Sequence, residues 1–246
     1  MASEKMHWYY PDGRTAYTQV VKSGKNKGFT RNTTLADARK LGLLPSVTTI
    51  LNILDKPGLT NWRLEQVMLA SLTLPREHEE AEKDYIRRVM ADSREQGKKA
   101  AEEGTRIHGV IEGYFLGRTP DIEEAKIVDN VLACLPDNQY WKPEKSCVHE
   151  LGYAGKVDLH SDEWVIDFKT TEKENPKCWP EHYLQLAAYK NALGIEGRCG
   201  NIFIDRNTYE CTFIQHSKEE TEKAWEQFKA ILLTWKLLRG YDASNF

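Results

Sequence analysis

Apolar positions recur with a helical period through the first half of the chain and with a strand period through the second, so the two halves predict different elements. Residues 7 to 21 alternate aromatic and polar positions around Pro11-Asp12-Gly13, which predicts a hairpin. Lys22, Lys25, Lys27 and Arg31 follow in a Gly- and Asn-containing stretch without apolar period, read as a mobile basic loop. From Pro45 the period becomes helical. Ser46 is placed to cap a short helix through Leu54, Asp55-Lys56-Pro57-Gly58 breaks it, and a second helix is expected around Trp62 to Ser71. A third is expected from Glu77 to Met90 and a fourth from Ser93 to Leu116, where Ile107, Ile111, Tyr114 and Phe115 form an apolar stripe.

Runs rich in β-branched and aromatic residues then predict strands at Ser146 to Leu151, Tyr153 to Leu159 and Trp164 to Thr170. A helix from Pro180 to Leu193 follows, then extended runs at Asn201 to Asp205 and Tyr209 to His216, and an amphipathic helix from Glu219 to Arg239. The expected architecture is α/β (α+β): a mixed sheet flanked by helices behind a helical N-terminal region. The boundary is drawn at residues 1–92 and 93–246.

The segment from Gly155 to Lys169 carries the chemistry. A turn centred between Ser161 and Asp162 sets Leu159 opposite Trp164 and Asp158 opposite Val165. Val157, Leu159, Trp164, Ile166 and Phe168 then share one face, and Lys156, Asp158, Asp167 and Lys169 share the other with Val165. In that register Asp158 and Asp167 are diagonal neighbours, about 7 to 8 Å apart at the backbone, close enough to reach one cation. Hard divalent ions take oxygen ligands and keep several waters, so two carboxylates and a carbonyl, with Phe168 as the candidate, suffice. Lys169 would stand beside the activated water or a phosphate. A bare D-x-K triplet ordinarily marks only a solvated hairpin face. Here the second carboxylate, with Gly152 and Gly155 before it, adds specificity. Gln185 and Tyr189 project from one side of the following helix, and His108 lies beside the apolar stripe with Glu112 one turn on.

Four segments in order, Gly-Thr-Arg-Ile-His (104–108), Gly-Lys-Val-Asp (155–158), Asp-Phe-Lys (167–169) and Gln-Leu-Ala-Ala-Tyr (185–189), resemble the PD-(D/E)xK nuclease superfamily. The resemblance is to its RecB-like exonuclease branch, which includes phage nucleases and the mitochondrial genome maintenance exonuclease. Pro45 to Leu51, with Trp62 downstream, is similar to the N-terminal helices of those members. The resemblance implies that His108, Asp158 and Asp167 bind Mg²⁺ or Mn²⁺, that Lys169 positions the nucleophile, and that Gln185 and Tyr189 complete the site. Glu112 would support His108, and Glu150 would stand behind the ligands or hold a second ion. Asp167 occupies a position where the superfamily often has Glu.

The implied activity is a metal-dependent DNA exonuclease acting at ends with single-stranded character. The alternatives are a structure-specific endonuclease of the same fold and a non-catalytic DNA-binding or recombination protein. The implied setting is the cytoplasm of a bacterial or phage-infected cell, with a recombination or replication protein as partner.

Composition changes this picture in three places. With 34 Lys and Arg against 37 Asp and Glu, the net charge of -3 gives no global attraction for nucleic acid. Any grip on DNA must therefore be local. Trp62, Arg87, Arg88, Lys99 and Arg106 are the candidates, with Lys56, Arg63, Arg94 and Lys98 nearby and several glutamates interleaved. The five cysteines, Cys134, Cys147, Cys178, Cys199 and Cys211, form no C-x-x-C pair, so free thiols are expected. Cluster-bearing relatives in the resembled superfamily carry one cysteine before the His segment, and none precedes His108 here, so the resemblance implies no iron-sulfur cluster. Met1 to Tyr10 lacks signal-peptide character and no long apolar run occurs, so no membrane association is expected.

Overall fold

The computed structural model describes residues 6–172 and 175–245. Its chain divides into two compact units, Met1–Ile53 with Val110–Phe246, and Leu54–Gly109. The boundary expected after residue 92 falls inside a helix. Among the described residues no helix is long and apolar enough to cross a membrane.

In the larger unit β1 (Trp8–Tyr9) pairs antiparallel with β4 (Leu44–Pro45), and β2 (Thr18–Val20) pairs with β3 (Thr30–Asn32). The Pro11-Asp12-Gly13 turn forms as expected, closed by Gly13 N–H donating to the Tyr10 carbonyl at 2.9 Å. Lys22, Lys25 and Lys27 lie in the exposed tip of the β2/β3 hairpin, but Arg31 falls in β3 and pairs with Asp37; these short strands carried no apolar alternation to reveal them. Two helices lacked strong periodicity and escaped the sequence reading, although both carry capping boxes. They are α1 (Leu35–Leu41), closed by Thr34 and Asp37, and α5 (Ile122–Cys134), closed by Asp121 and Glu124. Ser46 caps α2 (Val47–Leu51) as predicted.

The smaller unit holds α3 (Pro57–Thr73) and most of α4 (Glu82–Phe115). The two helices expected at Glu77–Met90 and Ser93–Leu116 are one. Ser93 does not cap a new helix, because its hydroxyl donates back to the Met90 carbonyl at 3.1 Å inside a continuous one. The Tyr85 hydroxyl ties α4 to the end of α3 by donating to the carbonyls of Ser71 at 2.8 Å and Leu74 at 3.2 Å.

A five-stranded mixed sheet is the centre of the larger unit, in the order β5 (Lys142–His149), β6 (Tyr153–His160), β7 (Trp164–Thr171), β8 (Arg198–Asp205) and β9 (Cys211–His216). Only the β7/β8 pair is parallel, and it is joined by α6 (Pro180–Leu193). Helices flank the sheet. The Tyr153 hydroxyl donates to the Ala188 carbonyl of α6 at 3.0 Å, and its ring meets Phe228 of α7 (Lys218–Arg239) edge-on with centroids 5.0 Å apart. Asn130 of α5 donates to the Tyr209 carbonyl beside β9 at 2.8 Å. Val157, Leu159, Trp164, Ile166 and Phe168 are all buried, as the period of two requires.

The β6/β7 register corrects the sequence reading. Leu159 lies opposite Ile166 and His160 opposite Val165, because the turn is centred one residue later, between Asp162 and Glu163. The Ser161 hydroxyl fixes it there by accepting the Glu163 and Trp164 N–H groups at 3.2 and 3.1 Å. A shift of two in pairing leaves every side chain on its predicted face, whereas a shift of one would have inverted them. Continued one pair beyond Leu159/Ile166, this register would set Asp158 opposite Asp167 rather than diagonal to it, but the ladder ends at Leu159/Ile166.

Candidate active site

Asp158 stands where β6 leaves regular pairing. The β5/β6 ladder runs from Lys142/His160 to His149/Tyr153 but omits the pair Glu144/Asp158, and Glu144 takes a left-handed backbone with φ of 53°. Toward β7 the ladder stops at Leu159/Ile166, and the Phe168 N–H donates to the Asp158 carboxylate at 2.9 Å. Local distortion therefore aims this carboxylate at the neighbouring strand. Glu144 forms its ion pair with Lys156.

Asp167, by contrast, is only 2% exposed, so the charged face of the hairpin is not a solvated one. An ionised carboxylate is kept in such a place only when its oxygens are saturated with donors. Lys169 Nζ lies 2.8 Å from Oδ2 and 3.1 Å from Oδ1, Gln185 Nε2 donates to Oδ1 at 2.9 Å, and Asn201 Nδ2 donates to Oδ2 at 2.8 Å. Gln185 also accepts from Lys169 through Oε1 at 3.1 Å and donates to the Tyr189 hydroxyl at 3.2 Å. The four-residue spacing on α6 puts Gln185 and Tyr189 on one side. Gly155 makes room for that side, because a Cβ there would collide with the Tyr189 ring.

The electrostatics follow from burial and charge. Burial pulls the Lys169 ammonium toward neutrality, but the charges of Asp167 and Asp158, the hydrogen bond to Asp167 and the charge of Glu181 outweigh it, and its pKa lies above the ordinary lysine value. Burial first, then the charges of Asp167 and Asp158, raise the Tyr189 phenol well above its usual range, so it remains a neutral hydrogen-bonding group.

Among the described residues no group of three or more His, Cys, Asp or Glu gathers as a complete ligand set. What the site offers a cation is oxygen. Both carboxylate oxygens of Asp167 and Oε1 of Gln185 already surround one positive charge, the Lys169 ammonium, at 2.8 to 3.1 Å, with Asp158 adding its field. Carboxylates such as Asp158 and Asp167 are the kind of oxygen donor that a hard divalent ion retaining several waters takes.

Asp158, Asp167, Phe168, Lys169, Gln185 and Tyr189 thus come together. Glu150 is exposed in the turn between β5 and β6, and about 16 Å of strand separates Tyr153 from Asp158. Glu112 and His108 are half-buried on α4, His108 within the smaller unit. Trp62 is half-buried, and a Cβ on Gly97 would stand 3.6 Å from its ring, so part of the indole already covers α4. Five basic residues of the smaller unit pair with acids: Arg87 with Asp84, Arg88 with Glu80, Lys98 with Glu102, Lys99 with Glu95 and Arg106 with Glu103. All five cysteines are free thiols. The sequence reading missed Asn201 and Cys178. Asn201 was detectable as a lone amide in the apolar run Cys199-Gly-Asn-Ile-Phe-Ile of a parallel strand.

No model of a known family matches this chain, and no curated protein matches it. Solved structures do. The chain is similar to an alkaline exonuclease (LHK-Exo) from Laribacter hongkongensis, 14% identical over 74% of this chain and 95% of that one, with a TM-score of 0.35. It is also similar to the protein SSO0001, 12% identical over 72% of this chain and 86% of that one, again with a TM-score of 0.35.

Proposed function

We propose that the chain is an Mg²⁺- or Mn²⁺-dependent deoxyribonuclease that degrades DNA from strand ends with single-stranded character. The observation that carries the reading is the buried Asp167 carboxylate held by Lys169 and Gln185 beside the Asp158 carboxylate. Simple stabilisation does not account for it. A buried ion pair contributes little net stability compared with apolar packing of the same volume, so two carboxylates and a lysine at the sheet centre point to chemistry.

Asp158 and Asp167 would hold the cation, with the Phe168 carbonyl beside them. When bound, such an ion supplies a water of lowered pKa and neutralises charge building on the phosphate. Lys169, fixed as an ammonium, directs a hydrogen-bond donor at the attacked phosphate or its incoming oxygen. Gln185 holds that ammonium and the Asp167 carboxylate in one orientation, and Tyr189 in turn holds Gln185. Hydrolysis breaks one P–O bond and adds water across it, leaving a phosphate and a hydroxyl terminus. The N-terminal region, through Arg106, is proposed to grip the strand.

The deciding experiment compares end-labelled linear DNA, single- and double-stranded, with closed circles, with and without Mg²⁺ or Mn²⁺. Release of short products from ends, sparing of circles and silence in EDTA are expected. Rapid cutting of closed circles would make the enzyme an endonuclease, and full activity in excess EDTA would overturn the metal-dependent reading.

A further inference from the structure

We infer that Asn201 is a positioning residue that fixes the Asp167 carboxylate for cation binding and is itself oriented by Cys178. Asn201 is fully buried and lies directly across the parallel β7/β8 pair from Asp167. Its Nδ2 donates to the Asp167 Oδ2 at 2.8 Å and to the Asp167 backbone carbonyl at 3.2 Å. Both of those partners are acceptors only, so the amide must turn its NH₂ toward them and its oxygen away. The Oδ1 atom consequently faces the Cys178 thiol, which donates to it with a separation of 3.7 Å.

The thiol is held in its turn, because its Sγ lies 3.6 Å from Nε2 of His216, whose ring stacks on Tyr183 with centroids 4.2 Å apart. A chain of contacts therefore runs from β9 through Cys178 and Asn201 to Asp167. From the thiol through the amide to the carboxylate its direction is set by which groups can donate.

Packing does not require an amide here. Neighbours on β8 such as Ile202 and Ile204 are buried and apolar, and a β-branched residue at position 201 would suit a central parallel strand better. What the amide adds is specific to the carboxylate. Lys169 touches both oxygens of Asp167 and Gln185 touches one, and both have further partners, whereas Asn201 spends both of its N–H bonds on Asp167. It fixes the rotation of the carboxylate about its own bond. The inference rests on the reading of Asp167 as a cation ligand.

The test measures Mn²⁺ binding by calorimetry on the full chain without DNA, for wild type, Asp167→Asn, Asn201→Ala and the near-isosteric Asn201→Leu, alongside thermal melts and steady-state kinetics. Folded Asn201 variants should bind Mn²⁺ about 10 to 100-fold more weakly, the usual effect of removing a hydrogen-bond partner of a ligand. KM for DNA should stay within about twofold while kcat falls. If Asp167→Asn abolishes Mn²⁺ binding but both Asn201 variants bind as wild type does, the positioning role is wrong and the cation site stands. If Asp167→Asn binds Mn²⁺ like wild type, the cation reading itself fails. Loss of the folded state in both Asn201 variants would make Asn201 a structural residue and overturn the inference.

Discussion

Lys169 rests its ammonium between both carboxylate oxygens of Asp167, 2.8 Å from one and 3.1 Å from the other, two residues along the same strand. Side chains two apart share a face of a strand, so the pair is a local consequence of the D-x-K spacing, and Gln185 locks it from α6. Removing the lysine leaves a buried carboxylate uncompensated, at a cost of about 3 to 5 kcal/mol for a broken buried pair. Lys169→Met should therefore melt early without metal and recover more than wild type does when Mn²⁺ is added. Its turnover should fall about 10² to 10³-fold, the scale of one lost transition-state contact. Turnover near wild type would misplace the active site.

Asp158 offers a cleaner separation of charge from structure. Its carboxylate accepts the Phe168 N–H at 2.9 Å, a role that the oxygen of an asparagine can also fill. Asp158→Asn should accordingly fold and melt like wild type in EDTA. Wild type at 100 times the metal's Kd gains about 2.7 kcal/mol, or about 5 to 10 °C at this chain length. The variant should lose most of that gain. An equal metal-induced rise in both proteins, followed by differential scanning calorimetry, would remove Asp158 from the cation site.

Gly155 is the third point of control. A Cβ there meets the Tyr189 ring, and Tyr189 is buried on the sheet and bonded to Gln185 at 3.2 Å, so it has nowhere to retreat without moving the α6 side of the site. Gly155→Ala should destabilise the fold by about 1 to 3 kcal/mol, the range for overpacking a dense core. Tyr189→Leu in the same chain should restore part of the loss. Failure of the double variant to recover any stability in urea titration would show that the glycine serves another purpose.

The two-residue period exposed the apolar face of the β6/β7 hairpin and the sharing of one face by Asp158, Asp167 and Lys169, and the four-residue helical spacing exposed the side of α6 that carries Gln185 and Tyr189. Those features depend only on local geometry. The turn position did not follow from the period, because the Ser161 hydroxyl sets it. Nor did the break in pairing at Asp158, where the β5 residue across from it, Glu144, takes a left-handed backbone. The continuity of α4 through Ser93 was hidden by a residue type that both caps helices and bonds back within them. Asn201 lies 34 positions beyond Asp167, and only the parallel β7/β8 crossover brings them into contact.

Acid sensitivity should trace in part to His216. Burial drives its pKa from 6.5 down to about 4, against the opposing charges of Glu220 and Asp167. The folded protein therefore refuses a proton that the unfolded chain accepts below pH 6.5. The stability that this neutral ring permits is complete above pH 6.5, declines as pH falls and is lost by about pH 4. The difference of 2.5 pH units corresponds to at most about 3 kcal/mol. His216→Phe keeps a ring to stack on Tyr183 without titrating, so the stability difference between it and wild type should change across pH 6.5 to 4 and level off below. His160 and His149 are pushed in the same direction by burial and will leave some slope in both proteins. Parallel urea-derived stability curves for the two proteins over that window would exclude His216 as the source.

DNA capture is expected to divide the basic residues of the smaller unit into two groups. Arg88 donates to both carboxylate oxygens of Glu80 at 3.1 and 2.8 Å and to the Pro75 carbonyl at 2.8 Å, and it stacks over the Tyr85 ring. Four contacts make it a fastener of the segment before α4, so Arg88→Ala should lower thermal stability more than DNA affinity. Arg87 and Lys99 are different. Their side chains are 78% and 62% exposed, and among the described residues each has one surface ion pair, with Asp84 or Glu95. Such pairs contribute about 0.2 to 1 kcal/mol, little enough for a phosphate to displace the carboxylate. If both residues hold phosphates, Arg87→Gln with Lys99→Gln should lower the slope of log affinity against log salt by about 1.4 on single strands or about 1.8 on duplex, with Mn²⁺ affinity unchanged. Fluorescence anisotropy across a salt series on the metal-competent but slow Lys169→Met background reads this without cleavage. An unchanged salt slope in the double variant would place the DNA track elsewhere on the molecule.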